Sequence, residues 1–288
     1  LATLGGKLHP DIGILWTGDK VVACIDKPTM QFVNPLLKRK AFIWWNFPVS
    51  DYVRDRLLLG AVYGNGTDID DDISAFISNP MEHAEASKIA LFSIADYAWN
   101  MDAYKSDASW RRAVRYLMPG HAAALQVFAS HNSDLGGNEH DFRREESEQI
   151  RPALERLLDA YCREGKREVA AASAVTEECE RMIASADLLL ASDENPALIK
   201  EISPWLMQFK LLGEFGREVL CMLAAQCDGK KTELEKAASH AKALQVLMKK
   251  IDATYNQNGF QPGVKTGSCH LKPAFDRLYQ EVVQRTGK

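Results

Sequence analysis

The chain has 288 residues, 46% hydrophobic and 26% charged, a globular composition that excludes disorder, collagen-like repeats and a disulfide-dense miniprotein. Its 35 Lys and Arg against 39 Asp and Glu leave a net charge of -4, and no basic stretch interleaves with aromatics, so nucleic-acid binding is not expected. No apolar run approaches the roughly 20 residues needed to span a bilayer, and the length sets a prior of two domains.

The opening LATLGGKLHP has neither a charged n-region nor an apolar h-region, and it begins at Leu1, which reads as a chain cut from something longer. Three short apolar runs follow: Ile12 to Trp16, Ala41 to Trp45 and Ala75 to Ile77. Each has strand composition, and each exits into polar residues, at Thr17, Asn46 and Asn79. These exits recur roughly 30 residues apart, about one βα unit per step. Helical patterns lie at Met30 to Arg39, Asp51 to Leu59 and Met81 to Ala98. In the last, Asn79 suits an N-cap and Pro80 the first helical position, with a stripe through Ala84, Ser87, Lys88, Leu91, Ile94, Ala95 and Ala98.

From about Asp107 the strand signal stops. Helices are predicted near Ser109 to Leu117, His121 to His131, Arg144 to Tyr161, Val169 to Ala191, Ala197 to Ala225, Thr232 to Tyr255 and Lys272 to Gln284. Leu234, Ala237, Ala241, Leu244, Met248, Ile251 and Tyr255 alternate three- and four-residue spacings, the seam of a helical bundle. Turn chemistry marks linkers at Ser133 to Gly137 and Asn256 to Ser268.

In parallel βα architectures, sites form at the carboxyl ends of the strands. Thr17, Asn46 and Asn79 sit there, and Asp51 follows Asn46 across a Phe-Pro-Val-Ser turn. Trp44 and Trp45 alternate faces. An aromatic wall with amides and a carboxylate suits a polyhydroxylated ligand, because sugar rings stack on indole and their hydroxyls need both donors and acceptors. Each residue alone has a plainer reading: Asn79 and Asp51 as helix caps, Trp44 as core. Other chemistry is not indicated. Six scattered cysteines form no CxxC pair, and His83, His131, His140 and His240 lack metal spacing, so no metal or cofactor is expected. Asp68, Asp70 and Asp72 begin like a calcium loop, but Ile73 stands where Gly is required. The Asp70-Asp71 pair precedes a strand rather than ending one, which leaves it poorly placed as a glycosidase acid pair.

The strings IWWNFPVSDYVRDRLLLGAVYGN, FISNPMEHAEASKIALFSIADYAWN, ASHNSDLGGNEHDFRREES and NQNGFQPGVKT resemble the bacterial β-N-acetylglucosaminidases of glycoside hydrolase family 84, which are O-GlcNAcase-like or hyaluronidase-like. The resemblance implies a mixed fold: the last three βα units of a (β/α)8 TIM barrel over residues 1–103, then an all-α helical bundle over residues 104–288. It further implies that Asp51 binds the outer hydroxyls of a terminal N-acetylglucosamine, that Asn46 and Asn79 contact the sugar, and that Trp44 lines the acetamido pocket. Thr17 and Val21 flank the leaving-group side. The family's adjacent catalytic Asp pair would lie before Leu1, so this chain alone is expected to be inactive. The implied partner is a glycan or glycoprotein carrying N-acetylglucosamine, and the implied location is periplasmic or secreted. Three βα units leave open sheet edges, for which self-association as a homodimer or a companion segment is expected. The alternative is a non-catalytic helical interaction module with a remnant sugar-binding half-barrel.

Overall fold

A computed structural model describes residues 1–133 and 146–286. They divide into two compact units, one built from Leu1–Asp51 and Leu58–Pro119, the other from Tyr52–Leu57, Gly120–Asn132 and the helices that follow. The predicted linker at Ser133 to Gly137, the start of the predicted helix at Arg144, and His140 lie wholly or largely outside the described residues.

The first unit opens with α1 (Ala2–Lys7), β1 (Leu15–Trp16), α2 (Lys27–Leu37) and β2 (Ala41–Trp45). It continues through a single 3-10 turn at Asp70–Asp72 to β3 (Ile73–Ser78), α3 (Ala84–Trp99) and α4 (Ser106–Leu117). The three strands form one parallel sheet in the order β1-β2-β3. This unclosed sheet, followed by the helical bundle, matches a partial (β/α) barrel with a helical domain.

Alternation sorts the residues of β2. Ala41, Ile43 and Trp45 are fully buried, whereas Phe42 and Trp44 are half-buried on the opposite face. Trp45 packs against Phe47 and Phe76, with centroids 5.2 and 5.9 Å away, and the chain of rings continues through Phe76 to Tyr97 of α3 and on to Tyr104. The Trp45 face is therefore the helix-covered one, and burial of each such ring contributes on the order of 2–3 kcal/mol. Tyr97 and Tyr104 donate their hydroxyls to the Gly66 and Val62 carbonyls, both at 2.6 Å. Burial pushes both phenols well above their usual range, which keeps them protonated donors.

Helix α2 starts earlier than the pattern suggested because Asp26 caps it, accepting from the Thr29 amide at 2.9 Å, with Pro28 in the first turn. Two expectations fail in this unit. Asn79 does not cap α3, which begins at Ala84 after His83. The buried stripe of α3 runs through Ala86, Ser87, Ile89, Ala90, Ser93, Ile94 and Tyr97, so of the expected stripe Ser87 and Ile94 are buried and Leu91 half-buried, whereas Ala84, Lys88, Ala95 and Ala98 are exposed.

The second unit holds α5 (Ala122–Ser130), α6 (Arg151–Glu164), α7 (Val169–Leu190), α8 (Pro196–Cys227), α9 (Lys231–Thr254) and α10 (Leu271–Thr286). In the predicted seam of α9, Leu234, Ala237, Ala241 and Met248 are buried, Leu244 and Ile251 half-buried, and Tyr255 exposed. The seam loosens toward its end.

The helix expected over Asp51 to Leu59 is absent, and the second unit shows why. Residues 52–57 have their backbone groups held from outside. Gln261 accepts from the Arg54 amide at 2.8 Å and donates to the Tyr52 carbonyl at 2.6 Å. Asn256 donates to the Arg54 carbonyl at 2.7 Å, and the Trp205 indole donates to the Asp55 carbonyl at 3.0 Å. Bonds that a helix would make internally are supplied by side chains about 150 to 210 residues away in sequence.

Candidate functional site

The exits of β2 and β3 come together through side chains, and the loop after β1 joins them through a backbone carbonyl. Beyond the register pair Trp45↔Ser78, the next opposed positions are Asn46 and Asn79, and the Asn79 amide donates to the Trp45 carbonyl at 2.9 Å, which prolongs the ladder. Asn46 shares the face of Trp44, two residues back. Trp44 Nε1 donates to Asn46 Oδ1 at 2.8 Å and Asn79 Nδ2 donates to the same oxygen at 3.1 Å. Asn46 Nδ2 donates to the Val21 carbonyl at 2.7 Å, tying in the loop after β1.

Counting lone pairs and protons shows what this cluster has left to offer. Both acceptor sites of Asn46 Oδ1 are used, and one of its two amide protons is committed. A second proton on each amide and the Asn79 carbonyl remain for another molecule. The cluster presents donors and an acceptor beside an indole on the half-buried sheet face.

The loop that carries Val21 is shaped by Gly18. Its φ is 103°, and a Cβ there would come within 2.4 Å of Ala23 Cβ, so only glycine fits this turn. Val21 takes part through its backbone carbonyl, with a side chain 71% exposed. Thr17 is half-buried at the end of β1, and Asp51 is exposed on the turn after β2. Neither belongs to the hydrogen-bonded cluster of Trp44, Asn46, Asn79 and Val21.

A second polar cluster lies in the bundle unit. His131 Nδ1 meets Ser147 Oγ and His131 Nε2 meets Glu178 Oε1, each at 2.7 Å, and Glu178 also pairs with Arg181. Burial first, then the Arg181 guanidinium, pulls the imidazole down to about 3, so the ring is neutral. A neutral ring donates from one nitrogen and accepts at the other, which fits donation to Glu178 and acceptance from Ser147. The three side chains are 2 to 7% exposed. Their arrangement fixes the core; it is sealed from substrates. Sequence offered no sign of this network, because its members are 16 and 47 residues apart. Among the described residues no group of three or more His, Cys, Asp or Glu is placed to hold a metal, and no helix is long and apolar enough to cross a membrane.

Comparison with known proteins agrees with this architecture. A family model described as beta-N-acetylglucosaminidase matches residues 1–130, and one described as the bacterial GH84 post-catalytic domain matches residues 146–279. Protein O-GlcNAcase of Rattus norvegicus is 36% identical over 109 residues, which is 37% of this chain and 12% of that protein. Of the solved structures, CpGH84D superposes with a TM-score of 0.85 at 27% identity, over 97% of this chain and 46% of its own. CpGH84B superposes with a TM-score of 0.83 at 25% identity, over 95% of this chain and 46% of its own. The chain thus spans less than half the length of each of these relatives. With both its barrel-like and its helical segments matched in order, the chain belongs to glycoside hydrolase family 84.

Proposed function

We propose that this chain forms the last three strands of the barrel, with their connections, and the post-catalytic bundle of a retaining β-N-acetylglucosaminidase that removes terminal β-linked N-acetylglucosamine from glycans or glycoproteins. The observation that carries the reading is the cluster at the strand ends, where Trp44, Asn46 and Asn79 are joined through one amide oxygen. Family membership supports it.

In this reading the Asn46 and Asn79 amides meet sugar oxygens with the protons and carbonyl they retain, and Trp44 walls the acetamido pocket. Asp51 takes outer hydroxyls as a two-oxygen acceptor. Thr17 and the Val21 loop flank the leaving-group side. The catalytic Asp pair belongs to a barrel segment outside this chain. There, one Asp orients the acetamido group, whose oxygen attacks the anomeric carbon to give an oxazoline and expel the leaving group. The other Asp protonates that departing oxygen and then deprotonates the incoming water. The substrate supplies its own nucleophile.

The test is the hydrolysis of 4-nitrophenyl N-acetyl-β-glucosaminide by the complete gene product. Asp51→Ala is expected to lower kcat/KM by about 10- to 100-fold, the loss of a hydrogen bond to a charged acceptor. A complete, folded product that leaves this substrate intact contradicts the proposal.

A further inference from the structure

Residues 17–26, between β1 and α2, lie outside any strand or helix, so their backbone groups need partners from elsewhere. Every second carbonyl from Val21 to Ile25 has one. Asn46 Nδ2 donates to the Val21 carbonyl at 2.7 Å, Trp45 Nε1 to the Ala23 carbonyl at 2.8 Å, and the Gly66 amide to the Ile25 carbonyl at 2.7 Å. The Ile25 amide in turn donates to Asn65 Oδ1 at 2.8 Å, and the Tyr97 hydroxyl holds the Gly66 carbonyl at 2.6 Å. The start of the loop closes onto the same residues, since a Cβ on Gly18 would come within 2.4 Å of Ala23 Cβ and 3.0 Å of Ile25 Cδ1.

These anchors differ in their surroundings. Trp45, Ala23 and Ile25 are fully buried, and the Trp45 ring is fixed between Phe47 and Phe76. Water cannot replace the indole donor at the Ala23 carbonyl, so its loss leaves a buried acceptor unpaired. The bond from Asn46 to Val21 is exposed, and there water can substitute. The fixed point of the loop is therefore Ala23. Val21 lies two residues away, at most about 7 Å along the chain, and carries its exposed side chain beside the strand-end cluster. The adjacent indoles thus act on different parts: Trp44 bonds within the cluster, and Trp45 holds the loop next to it.

We propose that Trp45 is a positioning residue that sets where the Val21 loop stands beside the strand-end cluster, and that it thereby governs binding of the leaving group without altering the pocket for N-acetylglucosamine itself. The inference rests on the proposed function above, in which Thr17 and the Val21 loop flank the leaving-group side.

The test uses the complete gene product, with 4-nitrophenyl N-acetyl-β-glucosaminide as substrate and free N-acetylglucosamine, which has no leaving group, as competitive inhibitor. Trp45→Phe keeps an aromatic ring in the core and removes the indole donor. It is expected to raise KM about fivefold or more, with kcat and the inhibition constant of N-acetylglucosamine each within about twofold of the parent. Trp110→Phe is the matched control: its Nε1 donates to the Leu59 carbonyl, also buried and also at 2.8 Å, so an equivalent bond is lost elsewhere in the same unit. All three constants should stay within about twofold there. Asn65→Ala, at a half-buried position, releases the Ile25 amide and should reproduce the rise in KM without removing a core ring; if Trp45→Phe does not fold, this variant decides alone. An unchanged KM, a rise in the inhibition constant equal to that in KM, or the same rise in Trp110→Phe would each overturn the inference. A folded parent that hydrolyses nothing overturns the underlying reading and this inference with it, whereas any of those three results in a hydrolysing parent overturns this inference alone.

Discussion

Asn79 Nδ2 donates to Asn46 Oδ1 at 3.1 Å, joining the exit of β3 to the exit of β2 through side chains that continue the backbone register. The same oxygen accepts from Trp44 Nε1, so one atom orients an indole and two strand ends. Asn46→Ala should therefore destabilise the first unit by about 1–3 kcal/mol, because it leaves two donors without their acceptor. Asn79→Ala removes one of the two donors and leaves Trp44 paired with Asn46, so it should cost less. Urea denaturation of the two variants checks the order; equal losses would show that the acceptor is not what matters.

Gly18 makes the turn after β1. Gly18→Ala forces a side chain onto a φ of 103° and against Ala23, and a loss of more than about 1 kcal/mol is expected. A thermal scan would show the midpoint drop; an unchanged midpoint would mean that the loop relaxes freely.

Stability should fall with acid through His131. Its folded value, near 3, lies below the ordinary 6.5, so the unfolded chain binds the extra proton across that interval. The contribution of His131 is fully present above about pH 6.5 and is lost progressively as pH drops toward 3. The groups facing the ring are Ser147, Glu178 and, beyond the carboxylate, Arg181. In denaturant titrations at several pH values, His131→Gln is expected to be less stable at pH 7 and to show a flatter slope between pH 6.5 and 4. A slope identical to that of the parent would rule out His131 as its source.

Asp55 is buried at 6% exposure and pairs with Lys265, with Arg56 Nε 3.6 Å away. Lys265→Met should cost about 1–3 kcal/mol, since it strands a buried carboxylate, and adding Asp55→Asn should recover part of that loss. A double-mutant cycle on unfolding free energy measures the coupling. Additive losses would mean that the ion pair does not hold residues 52–57 in place.

Strand composition and spacing made the three strand exits readable: Thr17, Asn46 and Asn79 fall at or just past strand ends, and Asn46 and Asn79 oppose one another. The bundle was readable from the apolar spacing of α9, at least as far as Met248. Two failures share one cause. Residues 52–57 look helical in isolation, but their backbone is bound by Trp205, Asn256 and Gln261, and no local pattern announces partners so distant in sequence. Asn79 before Pro80 reads as a cap, yet its side chain bonds across the sheet. The use of Val21 through its carbonyl was equally hidden, because a backbone acceptor leaves no trace in residue type.

The most direct test of the central claim follows N-acetylglucosamine release from an aryl β-N-acetylglucosaminide by NMR, comparing the complete gene product with residues 1–288 alone. The account predicts that the complete product releases the β-anomer first, with net retention, and that Asp51→Ala or Asn79→Ala slows it, while residues 1–288 alone show no turnover. Release of the α-anomer first, or turnover by residues 1–288 that Asp51→Ala abolishes, would contradict it.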